Sequence, residues 1–118
     1  MEKAHKKLFV WQKADEFAYL VYLETKSFPA DEMYGLTSQL RRAAISVSCN
    51  ITEGAGRQNK NEFKQFVNIA LGSVAEVEYL LEFSYRMKYL KEEKFKTLEN
   101  LRYQVGGLLW NLYKSFSR

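Results

Sequence analysis

The sequence predicts an all-α protein, an up-down-up-down antiparallel four-helix bundle. Apolar residues recur at spacings of three and four almost throughout, the pattern of helices that bury one face. Proline occurs once, at Pro29. The segments between the periodic stretches are short, which forces successive helices to run antiparallel. With 118 residues, 47% hydrophobic and 27% charged, the chain has globular composition and the length of one domain, residues 1–118.

A first helix is expected from about Val10 to Lys26, with Val10, Ala14, Phe17 and Val21 on its core face. Residues 1–8 precede it as a basic arm carrying Lys3, His5, Lys6 and Lys7. Phe28-Pro29-Ala30 ends it, and Asp31 is the expected N-cap of a second helix that aligns Leu36, Leu40, Ala43, Ala44, Val47 and Ile51. The pattern then breaks at "CNITEGAGRQNKNEF", Cys49 to Phe63. Gly54 and Gly56 read first as a left-handed C-cap, and Asn59-Lys60-Asn61-Glu62 matches a capping box that opens a third helix.

That helix carries the stripe Phe63, Phe66, Val67, Ala70, Val74, Val77 and Leu81 and fades between Lys88 and Leu90. The fourth shows Leu98, Leu101, Val105, Leu108 and Leu112, whose 3-4-3-4 spacing is the seam of an antiparallel bundle. At 1.5 Å per residue the helices should measure about 25 to 40 Å.

The faces away from these stripes are not simply polar. Ser38, Ile45, Ser48, Cys49 and Thr52 lie on the back of the second helix, Gly72, Ala75, Tyr79 and Phe83 on the third, and Tyr103, Gly107 and Trp110 on the fourth. Glycine inside a helix costs about 1 kcal/mol relative to alanine, so Gly72, Gly106 and Gly107 call for a packing gain. A homo-oligomer with Ile45, Cys49, Tyr79, Phe83, Tyr103 and Trp110 at its interface supplies one.

Little in the sequence supports catalysis or cofactor binding. A di-metal site in a bundle needs Glu-x-x-His pairs, and the single histidine, His5, precedes the first helix. Glu53, Glu76 and Glu78 make a poor transition-metal set without imidazole, and are expected to accept hydrogen bonds from Asn50, Ser73, Arg41 or a helix end. Cys49 and the serines lack a histidine base within the bundle, so Cys49 is expected to be a small packing residue. Gly54-x-Gly56 follows a helix and is no phosphate-binding loop of the Walker type. The expectation is a non-enzyme with no catalytic residue, metal or cofactor.

One cysteine cannot form an internal disulfide, and neither a signal-like apolar segment nor an apolar run of about 18 residues is present. A reduced, cytoplasmic protein that does not enter the membrane is expected, in which the Asn50-Ile51-Thr52 acceptor pattern has no meaning. Eighteen basic against fourteen acidic residues give +4 and a pI near 9.1, compatible with a nucleic-acid or acidic-protein partner. Arg57, Lys60 and Lys64 flank the start of the third helix, where the helix dipole favours anions, and Arg41-Arg42 projects from the second.

"VWQKADEFAYLVY", "LTSQLRRAAISV" running into "NITEGAGR", then "ALGSVAEVE" and "YLKEEKF" resemble a bacterial four-helix-bundle family named after reading frames in intervening sequences of 23S ribosomal RNA genes. The likeness spans nearly the whole chain. It implies the bundle fold, kinship with the accessory protein of diversity-generating retroelements, and a barrel-like homopentamer. It further implies RNA or DNA binding by basic surface residues, which carry over here as Arg41, Arg42, Arg57 and Lys60. The rival expectation is an oligomeric scaffold or accessory subunit that contacts a protein partner and no nucleic acid. Relatives tend to place Ser before the last helix where this chain has Lys91, which weakens that cap.

Overall fold

Each apolar stripe becomes one wall of a four-helix bundle. The structure, a computed structural model, describes residues 4–117. Four helices, α1 (Phe9–Glu24), α2 (Leu36–Ala55), α3 (Lys60–Arg86) and α4 (Glu92–Ser115), dominate it, with 3-10 turns at Ala4–Lys7, Thr25–Ser27 and Ala30–Glu32. No strand occurs among the described residues. α2 packs against α1 and α3, and α4 against α3 and α1, so the α1–α2 side of the bundle lies opposite the α3–α4 side. The longest dimension, 43 Å, is close to the length of the 27-residue α3.

The core divides into two layers along this axis. Val10 and Ala14 of α1, Val47 and Ile51 of α2, Val67, Ala70 and Val74 of α3 and Val105 and Leu109 of α4 form the layer nearer the α2–α3 turn. Phe17, Val21, Leu40, Ala44, Val77, Leu81 and Leu98 lie in the other layer. Each layer joins one half of every helix, as antiparallel neighbours require. The seam of α4 is Leu98, Leu101, Val105 and Leu109, with Leu108 and Leu112 only half-buried. A straight helix drifts from a strict heptad, so the fourth core position moves one residue along.

Local chemistry sets the boundaries. α1 stops at Glu24, and the Thr25 hydroxyl donates back to the carbonyl of Val21 at 2.8 Å. Asp31 is not the N-cap of α2. Residues 30–32 form a 3-10 turn, Gly35 interrupts it with non-helical backbone angles, and Glu32 Oε1 accepts the Leu36 amide at 3.1 Å instead. The Tyr89 hydroxyl donates to Glu32 Oε2 at 3.0 Å, a bond that holds the phenol proton and raises the Tyr89 pKa. Asn59 does cap α3: its side-chain oxygen accepts from the amides of Asn61 and Glu62 at 2.8 and 3.2 Å. No side chain caps α4, in keeping with Lys91 at that position.

Neither glycine at the end of α2 is left-handed. Gly54 lies within the helix, buried, and a Cβ there would stand 2.8 Å from Phe63 Cδ1 and 2.9 Å from Phe66 Cβ. Its role is close approach of α2 to α3. The left-handed residue is Lys88, with φ 66°. Tyr89 N–H donates to the Ser84 carbonyl and Lys88 N–H to that of Tyr85, which closes α3 with a Schellman motif around a lysine.

Two substitutions test these assignments in urea unfolding. Gly54→Ala should lower stability by about 1 to 2 kcal/mol, because overpacking against Phe66 outweighs the gain in helix propensity. Lys88→Gly should raise it by about 0.5 to 1 kcal/mol by relieving a left-handed side-chain-bearing residue, less the entropy glycine adds to the unfolded chain.

Candidate nucleic-acid interface

An even number of antiparallel helices returns both chain ends to the α2–α3 turn. The contacts show it directly: Trp11 Nε1 of α1 donates to Thr52 Oγ1 of α2 at 2.9 Å, and the rings of Phe63 and Phe116 meet at 5.0 Å. Residues 4–7, expected within a free arm, form a turn packed against α1 and α2, with His5 edge-on to Trp11 at 4.9 Å. Lys3 lies outside the described residues.

This end gathers charge that is scattered in the sequence. Lys6, Arg57, Lys60, Lys64 and Lys114 come from the N-terminal turn, the α2–α3 turn, α3 and the last turn of α4. Glu53 and Glu62 oppose them. Arg57 pairs with Glu53 at 2.8 Å, and its guanidinium lies over the Phe66 ring at 5.0 Å. Lys64 donates to Ser117 Oγ at 2.9 Å and sits 5.0 Å from the centre of the Tyr113 ring. Lys60 is exposed and has no ion pair among the described residues. Because Asn59 already occupies two first-turn amides of α3, a phosphate here would be held by side chains more than by backbone.

Arg41 and Arg42 stand apart, about 24 Å back along α2 from Arg57. Arg41 Nε donates to Thr25 Oγ1 at 2.7 Å, its Nη2 to the Tyr22 carbonyl at 3.3 Å, and the guanidinium lies over the Tyr22 ring. That side chain ties α2 to the end of α1. Arg42 pairs with Glu76 at 2.7 Å and remains exposed.

The acidic residues have partners other than the expected ones. Glu53 holds Arg57, Glu76 holds Arg42, and Glu78 shares Arg102 with Glu99. Partial burial works against the charge of Arg102, yet Glu99, Glu78 and Glu82 together outweigh it and raise its pKa. Among the described residues no cluster of His, Cys, Asp and Glu could hold a metal ion, and no helix is long and apolar enough to cross a membrane.

Of the expected interface residues, Ile45, Cys49, Tyr79, Tyr103 and Trp110 are exposed and Phe83 is half-buried. Cys49 is exposed, so it packs against no other helix of its own chain. An apolar groove of about 580 Å³ runs along the α1–α2 side, lined by Tyr19, Tyr22, Leu23 and Ile45. On the opposite side α4 presents Tyr103 and Trp110. The sequence reading missed Lys114 at the basic end and the tyrosines of the α1 groove. Lys114 could have been placed there from its position in the last turn of the fourth helix and the up-down topology.

The profile that describes the 23S rRNA-intervening sequence proteins matches residues 6–111. The chain belongs to that family. A crystal structure from Bacteroides thetaiotaomicron VPI-5482, titled as a protein of unknown function from the S23 ribosomal protein family, shows the same fold in a relative. It is 29% identical, with a TM-score of 0.81 over 89% of this chain and 98% of that one. No curated protein matches the sequence. In this chain α1–α4 therefore form the family's four-helix bundle, and the basic end gathers residues from the N-terminal turn, the α2–α3 turn, α3 and α4.

Proposed function

We propose that this protein is a non-catalytic homo-oligomer that binds nucleic acid, structured RNA in preference, through phosphates held at the basic end of the bundle. The observation that supports the reading most is the meeting of Lys6, Arg57, Lys60, Lys64 and Lys114 at one end, where they outnumber the carboxylates of Glu53 and Glu62. Ammonium and guanidinium groups release counterions from a phosphate backbone and need no fixed base sequence to do so. Arg41 and Arg42 contribute less in this reading, since each is already held by protein groups.

Assembly multiplies the effect. The α1–α2 groove and the α3–α4 face lie on opposite sides of one subunit, which suits a head-to-tail ring. We assign Ile45 and Cys49 to one half of that contact and Tyr103 to the other, in the pentamer that the family resemblance implies, and leave outside it Trp110, expected there from the sequence, together with Tyr79 and Phe83, which line a groove with Leu36 and Gln39 of α2. With helix axes parallel to the ring axis, every basic end falls on the same rim.

Affinity for a fluorescent structured RNA should fall steeply with salt, with a log–log slope that flattens by about two to three in an Arg57→Ala, Lys60→Ala, Lys64→Ala triple variant. Binding that ignores both salt and these substitutions would favour the protein-scaffold reading. Light scattering tests the assembly separately: Ile45→Glu or Tyr103→Glu should reduce the oligomer to monomers without loss of helical circular dichroism, because a buried unpaired carboxylate opposes association.

A further inference from the structure

We propose that Trp110, backed by Tyr113, is a stacking platform for an unpaired base of the nucleic acid bound at the basic end. This deepens the phosphate-binding reading and rests on it. The two rings lie nearly parallel, 16° apart with centroids at 5.7 Å, and Trp110 is 49% exposed. A cation lies over each ring of the pair. The Lys114 ammonium lies 5.8 Å from the Trp110 ring centre, and that of Lys64 lies 5.0 Å from Tyr113.

Trp110 is not among the α4 residues that pack against the core, which are Leu98, Leu101, Val105 and Leu109 with partly buried neighbours that include Tyr113. Trp11, by contrast, is half-buried and spends its indole N–H on Thr52. A second parallel pair, Tyr85 and Phe95, joins α3 to α4 at the opposite end of the bundle and has no cation over either ring among the described residues. Only at the basic end, among the described residues, do a half-exposed indole, a parallel ring beside it and an ammonium group over each ring coincide, and a base that stacks on the indole displaces the mobile Lys114 side chain.

That combination matches single-stranded nucleic acid. A flat base gains stacking energy on an exposed aromatic face whatever its identity, while the phosphates on either side of it meet positive charge. A continuous duplex cannot use the indole in this way, because its bases are already stacked on one another. The platform therefore directs the protein toward loops, bulges and ends of a structured RNA. Trp110 also lies about 10 Å nearer the basic end than Tyr103, seven residues earlier on α4, and so is separable from the subunit contact assigned to Tyr103.

Tryptophan emission of the full chain, titrated with oligouridine of about 12 nucleotides and with a blunt RNA duplex of the same length, tests the platform. Oligouridine should quench the wild type and leave the residual Trp11 emission of Trp110→Phe unchanged. Trp110→Ala should bind oligouridine about 5- to 150-fold more weakly, the equivalent of about 1 to 3 kcal/mol for one stacked base, with duplex affinity and oligomer size unaltered. If Trp110→Ala binds oligouridine as tightly as wild type while Lys60→Ala with Lys64→Ala weakens it, the platform is overturned and the phosphate reading stands. Dissociation of the oligomer in Trp110→Ala also overturns it, by placing the indole between subunits. Failure of the wild type to bind either nucleic acid overturns both the platform and the reading beneath it.

Discussion

The approach of α2 to α3 at Gly54 is the constraint on which the rest of the bundle turns. Phe63 and Phe66 occupy the volume that any side chain at position 54 would need. Because the helices meet there without an intervening side chain, the chain can reverse between Ala55 and Lys60 and bring the Asn59 cap directly beside the end of α2. Val47, Ile51, Val67 and Ala70 then fall into one layer, against which α1 and α4 close with Val10, Ala14, Val105 and Leu109. The basic end is the outer surface of that same junction, so the packing that fixes the fold also fixes the spacing of Arg57, Lys60 and Lys64.

Polar bonds at the opposite end do a different job. Arg41 bridges to Thr25 and Tyr22, and Glu32 both caps the start of α2 through the Leu36 amide and accepts from Tyr89. These bonds hold together the chain between α1 and α2 and the chain between α3 and α4, where Pro29, Gly35 and the left-handed Lys88 interrupt regular structure. A hydrogen bond to a charged group contributes more than a neutral one, which suits segments with little apolar surface to bury. That end is tied by internal bonds, and it too exposes cations, Lys26, Arg86, Lys88 and Lys91.

Much of the fold was legible because burial imposes a period. The stripes on α1, α2 and α3 are buried as the spacing of Val10 to Val21, Leu36 to Ile51 and Val67 to Leu81 predicts, and Asn59 caps as its type and offset predict. Gly54 was misread because glycine serves both a left-handed cap and a close contact, and only the aromatic residues facing it on α3 decide between them. The carboxylates were misassigned for a related reason: Glu76 and Glu78 meet arginines 34 and 24 residues away, beyond the reach of local pattern. For the candidate site, Arg57, Lys60 and Lys64 were visible as neighbours in sequence. Their union with Lys114 and the Trp110–Tyr113 pair depends on the returning path of α4, and Arg41 looked available only while its bonds to Thr25 and Tyr22 were unseen.

The return of both chain ends to the basic end also governs how the molecule can be handled or joined to others. The first and last described residues, 4 and 117, both lie at the end of the bundle that carries Lys60, Lys64 and Trp110. A purification tag, a fluorescent fusion or a natural extension at either terminus would crowd the surface assigned to nucleic acid, and an acidic one would compete for it. The turn around Lys88 and Lys91 lies at the far end of the long axis and is the better place for a label. Measurements of binding made on terminally tagged protein would report the tag and the rim together.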